Sequence, residues 1–172
     1  MRRSVLLVAV LTILAASLAA LPAAAQASQP AGWVALGAWV EDAPKQQVWL
    51  TGELYLTNVW SLGYEYQADE VFLAGRYGDQ RGFYGGFGFS DFSPRWEVGV
   101  WGSAKLSPTI SVAGWLGVTG QTDAPSTEAK FTARAEAYIP VADRFFVLVG
   151  VDDYFNEAEH EFAGRIGVGL RF

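Results

Sequence analysis

The one histidine, His160, lies between Glu159 and Glu161. A histidine beside carboxylates is a ready general base, but it needs a nucleophile in reach and a partner that orients it. The candidate hydroxyls Ser90, Ser93 and Ser126 fall in other loops, and no motif ties them to His160. A histidine in a solvated loop accounts for it equally well. Asp152-Asp153, with Glu157 or Glu159, offers the hard oxygen ligands that Ca²⁺ takes, at a spacing that matches no known calcium loop. Gly85-Gly86-Phe87-Gly88 has the glycine content of a phosphate loop, yet no helix follows it. It reads better as strand glycines that let aromatic side chains pack closely. With no cysteine in the chain, disulfide frameworks, zinc fingers, iron–sulfur sites and thiol nucleophiles are excluded. No catalytic residue, metal ligand or cofactor site emerges, and the expectation is a protein that is not an enzyme and holds no cofactor.

The elements that would position these groups follow from composition and period. The 172 residues fit one domain; 51% are hydrophobic, 15% aromatic and only 17% charged, too apolar for a disordered chain. The net charge of −6 argues against a phosphate-binding surface and so against nucleic acid. Met1-Arg2-Arg3 starts the chain with positive charge, Val5 to Leu21 is uncharged and apolar, and Pro22 ends the run. Ala23-Ala24-Ala25 and Ala25-Gln26-Ala27 both fit the small-x-small rule of signal peptidase. The expectation is a signal peptide over 1–25, cleaved after 25 or 27, and a single exported domain over 28–172. An uncleaved anchor is the alternative, but the apolar run is near the lower length limit for a span.

No later window offers about 18 uncharged apolar residues in a row. Instead the chain alternates. From Glu128 to Tyr138 the even positions are polar or aromatic, and the odd ones are all apolar. From Glu161 to Phe172 one face holds Phe162, Gly164, Ile166, Val168, Leu170 and Phe172, and the other holds Arg165 and Arg171 among small residues. Period 2 over ten residues means strand. Ten strands are predicted, at about 33–41, 47–57, 60–67, 71–77, 82–89, 96–105, 109–119, 128–138, 144–153 and 161–172, with eight as the alternative count. Pro, Gly, Asp and Asn punctuate the breaks between them.

Alternation alone does not say which face meets what. Three features point to a membrane. The apolar face of every predicted strand is free of charge, as in Val48/Leu50/Gly52/Leu54/Leu56. The opposite face mixes Glu53, Glu65, Arg76, Glu97, Lys130, Arg134, Glu136 and Arg165 with Trp33, Trp39, Trp49, Tyr55, Trp101 and Trp115. A soluble barrel would have to expose those tryptophans, whereas a membrane barrel packs them in its lumen beside the charges. Finally, if the strands run up and down, the aromatics of the apolar face gather at two levels. Trp60, Tyr77, Phe83, Phe145 and Phe172 mark one rim, and Tyr66, Phe89, Trp96, Phe131 and Phe162 the other. Two aromatic girdles around an aliphatic band belong at the two interfaces of an outer membrane.

The ending Phe162-Ala-Gly-Arg-Ile-Gly-Val-Gly-Leu-Arg-Phe172 resembles the closing strand of bacterial outer-membrane proteins. The segments 105–112 and 139–146 similarly resemble periplasmic turns of small OmpA/OmpX-type barrels. The resemblance covers the chain beyond the leader. It implies an all-β, antiparallel up-and-down transmembrane barrel in a Gram-negative outer membrane. It also implies that Phe162, Ile166, Val168, Leu170 and Phe172 form the signal read by the barrel-assembly machinery.

With an even strand count both termini lie at the periplasmic end. The outer loops then hold Asp42, Asp69, Glu70, Asp91, Asp123, Asp152, Asp153, Glu157 and Glu159 against Lys45 and Arg95. Such loops are either solvated acids or a surface for the divalent cations that bridge lipopolysaccharide. Near-balanced lumen charge among bulky rings predicts a mostly filled interior, with a narrow water path past Gly63, Gly86, Gly88, Gly99 and Gly117 as the alternative. The leading expectation is a non-enzymatic barrel with a structural or surface role, or at most a narrow pore. The alternatives are a rim enzyme acting on lipid or peptide, and a soluble periplasmic barrel binding an apolar ligand.

Overall fold

Runs of β-branched and aromatic residues at period 2, broken by turn residues, leave each segment with unpaired backbone groups that only neighbouring strands satisfy. The computed structural model describes residues 31–40, 48–67, 70–89, 94–122, 129–155 and 160–172. They form ten strands: β1 (Gly32–Val40), β2 (Val48–Tyr55), β3 (Trp60–Gln67), β4 (Glu70–Gly78), β5 (Arg81–Phe89), β6 (Arg95–Ser107), β7 (Ile110–Gln121), β8 (Lys130–Pro140), β9 (Phe145–Phe155) and β10 (His160–Arg171). Each strand pairs antiparallel with the next, and β1 pairs with β10 from Trp33↔Arg171 to Val40↔Gly164, so the sheet closes on itself. The all-β, up-and-down, ten-stranded expectation holds; the eight-strand alternative does not. The leader and the acids Asp42, Asp69, Asp91, Asp123, Glu157 and Glu159 lie outside the described residues, as do Ser90, Ser93 and Ser126.

The end that carries both termini is tightly turned. In the 56–59 turn the Thr57 hydroxyl accepts from the Val59 and Trp60 amides at 3.2 and 3.0 Å. Gly78 adopts φ +126°, a conformation side chains resist, and lets the chain reverse at 79–80. Successive turns are stitched together, with Gly78 N donating to Val59 O and Ser103 N to Gln80 O, at 2.8 and 2.7 Å. The seam ends in a reciprocal pair: Gly32 N to Phe172 O and Phe172 N to Gly32 O, at 3.1 and 3.0 Å.

The pleat sorts side chains onto two faces. Outward stand Leu36, Val98, Val100, Leu116, Val149, Ile166 and Val168, all exposed. Trp60, Tyr77, Phe83 and Phe145 stand exposed toward the turn end, and Phe89, Phe131, Phe155 and Phe162 toward the other. Trp60 packs on Tyr77 at 4.9 Å between centroids and Phe131 on Phe155 at 5.6 Å. Tyr66 and Trp96 are half-buried, Trp96 because it lies against Gly120 of the neighbouring strand. Phe172 departs from the exposed-girdle expectation. It is only 5% exposed, since its ring lies over Gly32, where a Cβ would sit 3.2 Å from the ring edge. A glycine at that place turns a girdle aromatic into a cover for the seam.

Candidate functional site: the charged lumen

Three layers fill the interior. Trp33, Ala35, Trp49, Phe146 and Leu148 make an apolar cluster, flanked by Trp39 and Tyr138, that runs from Trp33 and Phe146 near the turn end to Trp49 beside Arg165. Trp33, Tyr138 and Phe146 meet with centroids 5.5 to 5.9 Å apart, two of the contacts edge-on. Rings this large fit because glycines face them. Trp49 occupies the space that a Cβ on Gly37 or Gly167 would need, and Tyr84 does the same to Gly99 and Gly117. Phe72 likewise covers Gly86 and Gly88. Four of the five glycines considered for a water path are therefore roofed by rings, and the fifth, Gly63, faces the Arg76 guanidinium, which would lie 3.6 Å from a Cβ there.

The middle layer is ionic. Arg134 on β8 donates through Nη1 and Nη2 to Glu65 on β3, at 2.8 and 3.3 Å, and through Nε to Asp152 on β9 at 2.5 Å. Arg165 on β10, its side chain wholly buried, donates through Nη1 to the same Glu65 at 3.1 Å and pairs with Glu136 through Nη2. Its guanidinium also stacks over Trp49, 5.4 Å from the ring centroid. Beside this knot, Glu53 accepts from Arg76 at 2.8 Å, from Trp33 Nε1 at 3.2 Å and from the Ser61 hydroxyl. Glu97 accepts from the Tyr84 and Thr132 hydroxyls at 2.7 and 3.2 Å. Paired in this way, buried charges avoid the large penalty of standing alone.

Of the eight lumen charges singled out in the sequence, Glu65, Arg134, Glu136 and Arg165 come together, and Glu53 with Arg76 makes a second group. Lys130 stands apart near the opposite mouth, where it meets exposed Glu161 at 2.9 Å. Asp152 corrects the outer-loop assignment. The strand β9 runs on to Phe155, so Asp152 faces the lumen at 1% exposure and belongs to the knot. Glu70 and Arg95 correct it too, since they are the first residues of β4 and β6 and pair at 3.0 Å. The strict alternation of Phe146, Leu148, Gly150 and Asp152 is the signal that would have put Asp152 inside. Asp153 faces outward and holds His160 Nε2 at 2.8 Å, with the Phe155 ring against the imidazole.

Below the knot the lumen opens into a vestibule of about 340 Å³ at the turn end, lined by residues of every strand except β3 and β5. A further void of about 30 Å³ shares Arg76 and Trp115 with it and is lined by Glu65 and Arg134.

A ring of ten antiparallel strands with an outward apolar face, charged only near the strand ends, and an ionic lumen is the fold of the small outer-membrane β-barrels. The chain is similar to the translocator domain of the autotransporter NalP from Neisseria meningitidis, with a TM-score of 0.54 and 11% identity over 90% of this chain and 92% of that one. It is similar to the outer-membrane protein Ail of Yersinia pestis in a phospholipid nanodisc, at 0.51 and 11% over 84% and 100%. The KdgM porin aligns at 0.50 and 11% over 81% and 99%. No protein-family model matches the sequence, and no curated protein matches it. At such identities the likeness is one of fold.

Proposed function

We propose that the exported chain is a non-enzymatic barrel of the bacterial outer membrane, with a structural or surface role and a lumen closed to ions by its own side chains. The observation that supports this best is the Arg134–Glu65 pair, which crosses the interior between strands on opposite walls. An open, ion-selective pore favours rings of one sign around free water; this lumen holds charges of both signs, tied to one another. The exposed face, apolar through its middle, supports contact with membrane lipid, and the aromatic girdles at its two ends support its placement across two interfaces. The terminal segment Phe162, Ile166, Val168, Leu170 and Phe172 is proposed as the stretch that the assembly machinery reads, and lipopolysaccharide as the outer lipid partner. Among the described residues His160 meets Asp153 and the Phe155 ring.

The test is fractionation followed by gel migration with and without boiling, then conductance of the purified protein in planar bilayers. Heat-modifiable protein in the outer-membrane fraction with no sustained current agrees with the reading. Soluble periplasmic protein, steady ion-selective current, or lipid or peptide turnover lost in His160→Ala would each overturn it.

A further inference from the structure

The vestibule at the turn end is built with more donors than the protein itself uses. Trp115 is 5% exposed and lines this space, and its Nε1 has no hydrogen-bond partner among the described residues. Arg76 gives Nη1 to Glu53, stacks 4.9 Å over the Trp115 ring, and leaves its buried Nε without an acceptor among the described residues. A buried donor left unmatched is costly, so a site where two of them meet is shaped for an acceptor. The cations at the mouth point the same way. Lys105 and Arg171 line the vestibule and pair with no carboxylate among the described residues; Arg171 instead lies 5.3 Å over Phe146. Glu53, the buried acid here, is already matched by three donors. Among the lining residues only Asp79, exposed at the turn, offers an uncommitted negative charge.

The remaining walls are flat. Trp33, Trp101 and Tyr138 present ring faces and edges to the cavity, and its volume falls in the range of small-molecule sites. Donors with cations select an anion, and ring faces select a flat body with apolar faces. We infer that the vestibule binds a small ring-shaped organic anion, a carboxylate or phosphate ester, entering from the end that carries both termini. The anionic group sits toward Arg76 and Trp115 with Lys105 and Arg171 closing behind it, and the ring lies between the tryptophans. This site does not depend on the lumen's being closed or on the role assigned to the outer surface.

The mature protein, refolded in detergent and shown folded by heat-modifiable migration in the same sample, is titrated while tryptophan fluorescence is followed. Glucuronate and benzoate are the ring-bearing anions, glucose the ring without charge, and inorganic phosphate the charge without ring. Saturable binding of at least one ring-bearing anion, about tenfold or more tighter than both glucose and phosphate, is expected. Which of the two binds tighter tells a sugar-like from an aromatic body. Lys105→Ala with Arg171→Ala, both near the mouth and outside the ionic knot, should weaken that binding about tenfold without altering heat-modifiable migration. Trp115→Phe keeps the ring, removes the donor and should weaken the anions alone. Binding of glucose or phosphate equal to the ring-bearing anions, no saturable response from a folded barrel, or an unchanged affinity in the double variant would overturn the site.

Discussion

Arg134 and Glu65 stand on β8 and β3, five strands apart whichever way the ring is counted, and are joined by two hydrogen bonds at 2.8 and 3.3 Å. The pair spans a full diameter of the barrel, and Arg165 binds the same carboxylate from a third strand. Two guanidiniums therefore converge on one acid that no single hairpin could have assembled.

Glu65→Ala leaves both arginines short of an acceptor in a water-poor interior. A loss of about 3–5 kcal/mol is expected for breaking such a buried link. Lys130→Ala removes a pair whose acid is well exposed and should cost about 0–1 kcal/mol. Urea titrations of the barrel folded into liposomes measure both. Equal costs at the two positions would mean that water reaches the knot freely.

Depth along the outer face gives a second expectation. Leu116 is 62% exposed, lies mid-strand between Val100 and Ala133, and should meet the centre of the bilayer. Leu116→Arg should cost about 2–4 kcal/mol, as should Val149→Arg, whereas Ile110→Arg at the strand end should cost about 0–1. Folded fraction in liposomes reads the profile. A soluble barrel would show no such gradient.

Two glycines of one strand should respond oppositely to the same change. Gly117→Ala pushes a methyl into the Tyr84 ring that packs over it, an overpacking worth about 1–3 kcal/mol. Gly114 faces outward with its nearest neighbour, the Arg134 carbonyl, at 3.6 Å. Gly114→Ala should be neutral or stabilising by about 0.4–1 kcal/mol. Denaturant midpoints of the two variants, measured side by side, decide it.

Phe172→Ala uncovers Gly32 and the seam. Because the ring is buried, loss of about 3–5 kcal/mol is expected even in liposomes that contain no assembly factor. Phe162→Ala, whose ring is 61% exposed, should leave folding in liposomes nearly intact. Parity of the two would assign Phe172 to recognition alone.

Most of the architecture was legible because period 2 is a local signal. The predicted strand 71–77 and the observed Glu70–Gly78 differ only by end residues. Errors arose where a strand runs on past its apolar stretch. Polar Asp152 and Asp153 resemble a loop in sequence, but ladder bonds to Arg134, Ala133 and the β10 backbone carry β9 through them. The distant partners of the lumen charges were not legible. Asp152 meets Arg134 across one hairpin, but the meeting with Glu65 depends on a strand 69 residues away coming round the ring, and nothing in either strand's own residues encodes it. Phe172 shows a third limit, since its burial is decided by a glycine at the other end of the chain.

The pairing of β1 with β10 has a bearing on how the chain reaches its fold. Every other neighbouring pair is a hairpin that closes a short loop, but this one joins the two ends of the strand order and must close the longest loop of all, at the highest entropic cost. Such distant pairing slows folding. Until β10 docks, β1 and β9 present raw edges that template pairing with other chains. A nascent or truncated polypeptide lacking Phe162 to Arg171 is thus an aggregation hazard in water. Cover for those two edges up to the moment of ring closure is what the topology calls for.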